Sequence, residues 1–423
     1  MTDADLIIIL VVLSLHDGLR LGAMRLLTGA VQNGPGILWN GLVLILRSPL
    51  LLPDFYKAVL GYFQSPIIKR RADKFRSLKR GYYSFLLISG LYVLSFFLPL
   101  LVTDVAWYVR YEGQSYFPVV RSFAGYYVGN LINFKSTYFE SDFGLLGDAP
   151  VRYRSLKKSF EAQNSGNKVV LAPYPYSPNE SNLEEYEARP PHAPDKVHWF
   201  GTDDRGRDVF ARMLYGFQIS MTFALVVTFL SYLIGVSVGG YLGYYGGLFD
   251  IVVQRFVEIW SAIPFLFAVM IVVSIVKTNH MMVLLIFLLA AFGWMGMTYY
   301  IRGEFLREKA KDYVAAAISI GVKDTTIIFR HILPNALTPV ISFMPFAIVG
   351  NISALVSLDF LGFGLPVPTP SWGELLNQGR EYLKCYWLVF APLGGLFATL
   401  MLVSFIGEAV REAFDPKQYS RLR

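Results

Sequence analysis

The chain has 423 residues, of which 54% are hydrophobic and only 16% charged, with a formal charge of +7. Its mean hydropathy is +0.44, and soluble domains average about 25% charged residues, so the composition argues against a soluble protein and for the membrane class. The excess of lysine and arginine does not imply nucleic acid, because no basic groove with interleaved aromatics accompanies it and basic residues of membrane proteins collect in cytoplasmic loops.

Residues 1–68 form an N-terminal extension. Leu6–Leu15 is apolar but too short to cross a bilayer, and 37–52 is longer but carries Asn40 and Arg47. The opening MTDAD lacks the basic start of a signal peptide. Two interfacial or poorly ordered segments are expected here, with one or two extra spans as the alternative; an odd number of extra spans would put the N-terminus outside.

A basic segment and the first span follow over 69–103. Lys69, Arg70, Arg71, Lys74, Arg76, Lys79 and Arg80 stand against Asp73 alone, which assigns this side to the cytoplasm. Six stretches have the roughly 20 apolar residues a crossing requires: about 82–103, 219–243, 251–276, 281–301, 335–358 and 386–408. Six crossings return the C-terminus, with Arg411, Lys417, Arg421 and Arg423, to the cytoplasm. The insert 104–200 then lies outside. It is rich in proline and tyrosine, and Pro173, Pro175 and Pro178 argue against a helix there. A small loop-rich domain is expected.

Glycines 235, 239, 243 and 247 recur every four residues at the end of the second span, where they would let two helix backbones approach closely. Arg255 and Glu258 read as a helical ion pair near the cytoplasmic surface. Between the fourth and fifth spans, 303–334 is a charged, helix-prone island on the cytoplasmic side. Glu304/Arg307 and Glu308/Lys311 are spaced to pair, the small run Ala315-Ala316-Ala317 could lie in a groove, Gly321 falls where a helix ends, and Asp324 is a candidate N-cap for a second short helix. Asp359, at the outer end of the fifth span, is either a pathway or gate residue or a structural hydrogen-bond acceptor.

The one cysteine, Cys385, allows no intrachain disulfide. Histidines 16, 192, 198, 280 and 331 lack ligand spacing, so no metal site is expected. No GxxxxGK[ST] occurs, so the chain does not build its own phosphate cradle.

Several blocks resemble the C-type permease subunit of oligopeptide and dipeptide ABC importers over about 69–416. They are the pre-span block Trp199–Val209 (similar to LGTDxxGRDV), GYYGG at 243–247, the island as an "EAA loop" with RHILPN at 330–335, SLDFLGFGLP at 357–366 and IGEAVREAFDP at 406–416. VRYEGQSYFP at 109–118 and ESDFG at 140–144 are similar to the Yej type, whose cargo is microcin C-like peptides and oligopeptides.

The resemblance implies an all-α polytopic membrane protein. It would be a six-helix type I importer domain over 201–416 with coupling loop 303–334, the external insert, and a cytoplasmic tail at 417–423. It also implies the inner bacterial membrane, a homologous second permease, two ATPase subunits and a periplasmic peptide-binding protein. No catalysis would occur on this chain, and no cofactor would bind it, ATP and Mg residing on the partners. Lys311, Asp312, Tyr313, Ala315, Ala316, Ala317 and Gly321 would form the ATPase-coupling element. Two positions depart from the pattern: Ala315 stands where the EAA motif has its glutamate, leaving the contact to Lys311 or Asp312, and His331 replaces a general isoleucine, although RHILP is usual in the peptide branch. An ion-coupled secondary transporter is the alternative from another class, but the central spans lack acids at mid-depth. A membrane enzyme would need a convergent catalytic constellation, and none is found.

Overall fold

A computed structural model describes residues 66–128, 137–145, 147, 149–163 and 166–414. The expectations for 1–65 and for 417–423 fall outside them. The described residues open with helix α1 (Pro66–Ser77) and, after Leu78, helix α2 (Lys79–Ser95). The first span was expected to run unbroken over 82–103. Instead α2 stops after 17 residues and a single turn of helix follows at Leu98–Leu101. Pro99 explains the stop: it has no N–H to give and its ring clashes with the preceding turn.

The segment after α2 carries a three-stranded antiparallel sheet ordered β2 (Gln114–Tyr116), β1 (Tyr108–Tyr111), β3 (Lys168–Val170). Val109 faces Tyr116 on one side and Val169 on the other. Glu112 and Gly113, both at positive φ, make the tight β1–β2 turn. Helices α3 (Pro118–Val128) and α4 (Tyr153–Gln163) lie between β2 and β3 in sequence. Leu156 and Phe160, one turn apart on α4, pack with Val109, Phe143 and Val169 into a small core. The proline-rich stretch 171–182 forms no helix.

Four later helices are long and apolar enough to cross a membrane: α5 (Val209–Tyr245), then, after the pair described next, α8 (Met281–Lys309), α10 (Thr338–Phe360) and α12 (Trp387–Phe414). The third expected span is not one straight helix. It is α6 (Gly247–Ser261) and α7 (Phe265–Ile275), bent by 73° at residues 262–264. Pro264, without an N–H, cannot continue the ladder of α6. Helix α9 (Asp312–Ser319) lies between α8 and α10, and α11 (Trp372–Glu381) between α10 and α12.

The described residues fall into two compact units. One comprises 66–74, 229–264 and 291–342, the other 75–228, 265–290 and 343–414. In the second unit, Met213, Met221, Ile352, Val356, Trp372, Leu388 and Val403 bury one another where α5, α10, α11 and α12 meet. Phe390 and Phe397 on α12 are each 67% exposed. Such a bare apolar surface suits acyl chains or another subunit rather than water.

Candidate coupling site

The island is built on the end of α8. The pairs read from spacing form: Arg307 reaches Glu304 at 2.5 Å, and Lys311 reaches both oxygens of Glu308 at 2.7 and 2.8 Å. Glu308 is a hub that spacing alone did not reveal. Its side chain is only 2% exposed and also accepts the Tyr313 hydroxyl at 2.9 Å. Buried carboxylates require such partners. Tyr313 in turn lies 3.5 Å from the His331 carbonyl and receives the Asn335 amide at 3.4 Å. One tyrosine thus ties the start of α9 to the end of α8 and to the segment leading into α10.

Helix α9 buries a single stripe. Val314 and Ala317, three residues apart, are inside, while Asp312, Tyr313, Ala315, Ala316, Ile318, Ser319 and Ile320 face out. The outward face carries the small Ala315 and Ala316 beside Ile318, with Asp312 at its start and the C-cap Ile320, 80% exposed, at its end. Gly321, at φ +77°, closes the helix. Its N–H donates to Ile318 O at 3.0 Å and the Val322 N–H to Ala317 O at 3.1 Å, the paired bonds of a Schellman motif. A Cβ on Gly321 would meet nothing within 4 Å. The position therefore needs glycine for its backbone angle, not for closeness.

Two expectations are corrected here. Asp324 does not cap the next turn, because Lys323 is its N-cap. Asp324 instead accepts the Tyr244 hydroxyl at 2.6 Å. Tyr244 belongs to the GYYGG block, and its carbonyl takes the Lys309 ammonium. The block thereby holds the chain on both sides of α9. Nor is Gly247 a packing glycine: it stands at φ +63° in the turn opening α6, with nothing within 4 Å of a Cβ. Gly235, Gly239 and Gly243 do face α8. A Cβ there would come within 2.6 Å of Trp294 O, 2.5 Å of Thr298 O and 2.7 Å of Arg302 O, respectively. Arg302 on α8 also grips Asp250 on α6 with two bonds of 2.6 Å. The Arg255–Glu258 pair forms at 2.5 Å on α6.

Of the candidate coupling residues, Ala315 and Ala316 lie exposed on the outward face and Ala317 lies inside. Lys311 is engaged by Glu308. Asp312 is exposed in the first turn, where the helix dipole favours an acid.

Asp359 belongs to the other unit. It is 6% exposed; Oδ1 accepts the Leu365 N–H at 2.7 Å and Oδ2 the Ser371 hydroxyl. Ser371 also caps α11, accepting the amides of Gly373 and Glu374 at 3.1 and 3.3 Å. The carboxylate is therefore spent on pinning the turn between α10 and α11. The pre-span block adds a cluster no local pattern predicted. Arg207 holds Asp203 at 2.7 Å and Glu374 at 3.0 Å, and Arg212 holds Glu374 from the other side. Asp208 caps α5 through the Ala211 N–H at 2.6 Å, while its other oxygen binds Tyr174 and His198, each at 2.7 Å. His198 is fully buried and also meets Glu185 at 3.2 Å.

Residues 231–418 match the family model for the binding-protein-dependent transport system inner membrane component. The chain is 41% identical over 356 residues to the inner membrane ABC transporter permease protein YejE of Escherichia coli, covering 84% of this chain and 98% of that one. It is 38% identical over 368 residues to the peptidoglycan transport system permease protein YejE of Agrobacterium fabrum, covering 84% and 95%. It is 36% identical over 253 residues to the oligopeptide transport system permease protein OppC of Haemophilus influenzae, covering 59% and 80%.

Proposed function

The chain belongs to the family of binding-protein-dependent transport system inner membrane components, and from that premise we propose that it forms half of the translocation path of an ATP-driven oligopeptide importer, microcin C-like peptides included among its cargo. It is a multi-pass membrane permease subunit of an ABC transporter. In the proposed assembly it pairs with a homologous permease, two cytoplasmic ATPase subunits and a periplasmic peptide-binding protein, in the bacterial inner membrane with its C-terminus in the cytoplasm. ATP and Mg bind the ATPases, and no bond is made or broken on this chain. The insert 104–200, aromatic and external, is the proposed contact for the binding protein.

The observation that carries this reading is α9. A short helix that exposes Ala315, Ala316 and Ile318 is tied to α8 through Glu308–Tyr313, and the turn after it is tied to α5 through Tyr244–Asp324. A push on α9 must therefore reach α8 and α5, whose backbones touch at Gly239 and Gly243. Asp312 supplies the acid that the EAA pattern places at Ala315. The test is Ala316→Cys in the assembled transporter, with Cys385→Ser as background. It should crosslink to the ATPase, with a yield that changes with nucleotide. A complex that transports yet crosslinks at no position from 313 to 320 would remove α9 as the docking element.

A further inference from the structure

The break between α6 and α7 sits at a depth that two contacts define. Arg302 on α8 binds Asp250 on α6, and the Trp260 indole N–H donates to the Ala291 carbonyl on α8 at 2.9 Å. From 250 to 260 α6 rises about 15 Å, and from 302 back to 291 α8 rises about 16 Å. The two helices thus run side by side in opposite directions. Ala291 is midway along the apolar stretch 281–301, so it lies about 15 Å from either face of a bilayer core about 30 Å thick. Ser261, Ala262 and Ile263 follow Trp260 directly, so the break lies near mid-bilayer.

Backbone outside a helix is tolerated at that depth only where protein covers it or it lines a water-filled cavity. Here it is bare: residues 261–264 are all exposed. The amides of Ala262 and Ile263 turn back onto α6, to Glu258 O at 3.1 Å and Trp260 O at 3.2 Å, and the Ser261 hydroxyl also donates to Glu258 O at 2.8 Å. Among the described residues, the carbonyls of Ser261, Ala262 and Ile263 accept no hydrogen bond. Ser261 is the last residue of the 15-residue α6, so its carbonyl carries the negative end of the helix dipole, and the Ala262 and Ile263 carbonyls follow it directly.

We propose that the unpaired carbonyls of the exposed residues Ser261, Ala262 and Ile263 line the translocation path and accept backbone N–H groups, or the terminal ammonium, of the passing peptide. This rests on the importer reading above. Carbonyl acceptors match a donor present at nearly every residue of any peptide, so they bind without selecting a sequence. Beside them Ile259 and Ile263 expose apolar side chains, and Glu258, held by Arg255 at 2.5 Å, lies two residues before Trp260 and so deeper than the cytoplasmic surface where spacing had put that pair.

The test uses the complete importer with Cys385→Ser as background. Ser261→Cys, Ala262→Cys and Ile263→Cys are labelled with a charged thiol reagent, with Leu285→Cys, fully buried, as the unreactive control. At least one break position should label, and saturating peptide should slow it by about tenfold or more, since the rate follows the unoccupied fraction. The same peptide N-methylated along its backbone should protect several-fold less. Absence of labelling at all three positions in every nucleotide state overturns the inference, as does labelling that peptide leaves unchanged or equal protection by the N-methylated peptide. In each of these cases continued ATP-driven peptide uptake leaves the importer reading intact. Loss of such uptake in the unsubstituted complex would sink that reading instead.

Discussion

Replacing Gly321 should separate ATP hydrolysis from transport, and the structure sets the order of effects. The residue sits at φ +77° with open space where a Cβ would go. A Cβ there meets no neighbour, so the cost of adding one is in the backbone, about 1–2 kcal/mol for an ordinary residue in the left-handed region. Asparagine tolerates that region and should lose least, alanine more, and β-branched valine most. A cost of 1–2 kcal/mol is a factor of about 5–30 in population, drawn from the state in which the Gly321 and Val322 amides close α9. In proteoliposomes, peptide carried per ATP hydrolysed should fall in the order Gly, Asn, Ala, Val, by about fivefold or more for Gly321→Val, while membrane insertion and basal hydrolysis persist. Alanine performing as glycine, or asparagine as badly as valine, would refute the argument, because backbone angle would then not be what the site requires.

Gly239→Ala, whose Cβ would press to 2.5 Å from Thr298 O, should destabilise the α5–α8 contact by about 1–3 kcal/mol; Gly296→Ala on α8, with open space, should be neutral or slightly stabilising in the same thermal melt. Asp359→Asn should lower stability by about 1–3 kcal/mol yet leave uptake per folded complex near normal, and a stable but inactive variant would restore a gate role. Burial depresses the His198 pKa, but hydrogen bonds to Asp208 and Glu185 outweigh it and raise the pKa from 6.5 to about 9. Its stabilisation should therefore be complete below about 6.5 and vanish as pH rises through about 9; a melting profile over that window unchanged by His198→Phe would count against it. Reporter fusions after Glu185 should read outside and after Lys311 inside, and the reverse at either point would overturn the topology.

Much of this protein was legible in short-range patterns. Crossing a bilayer demands some twenty apolar residues in a row, so the positions of the later spans can be read from composition along the chain, while their orientation is what the reporter fusions test. The island announced itself because charged, helix-forming sequence between spans has to lie in water. Gly235, Gly239 and Gly243 were visible because a four-residue step keeps one helical face.

What tertiary structure alone decided concerns direction and partnership. Hydropathy is blind to a bend, so 251–276 read as one span, although Pro264 was a signal that the ladder could not continue there. Gly247 shares the four-residue step but not the helix, since the chain leaves α5 at Gly246. Glu308 looks like any surface acid until Tyr313 and Lys311 close over it. Arg207 and Arg212 meet Glu374 across more than 160 positions of chain, and Asp359 finds Ser371 only because the intervening turn folds back. Burial creates these pairings: a charge withdrawn from water must find a partner, and where that partner lies in the sequence is set by the packing of the helices, which no local window contains.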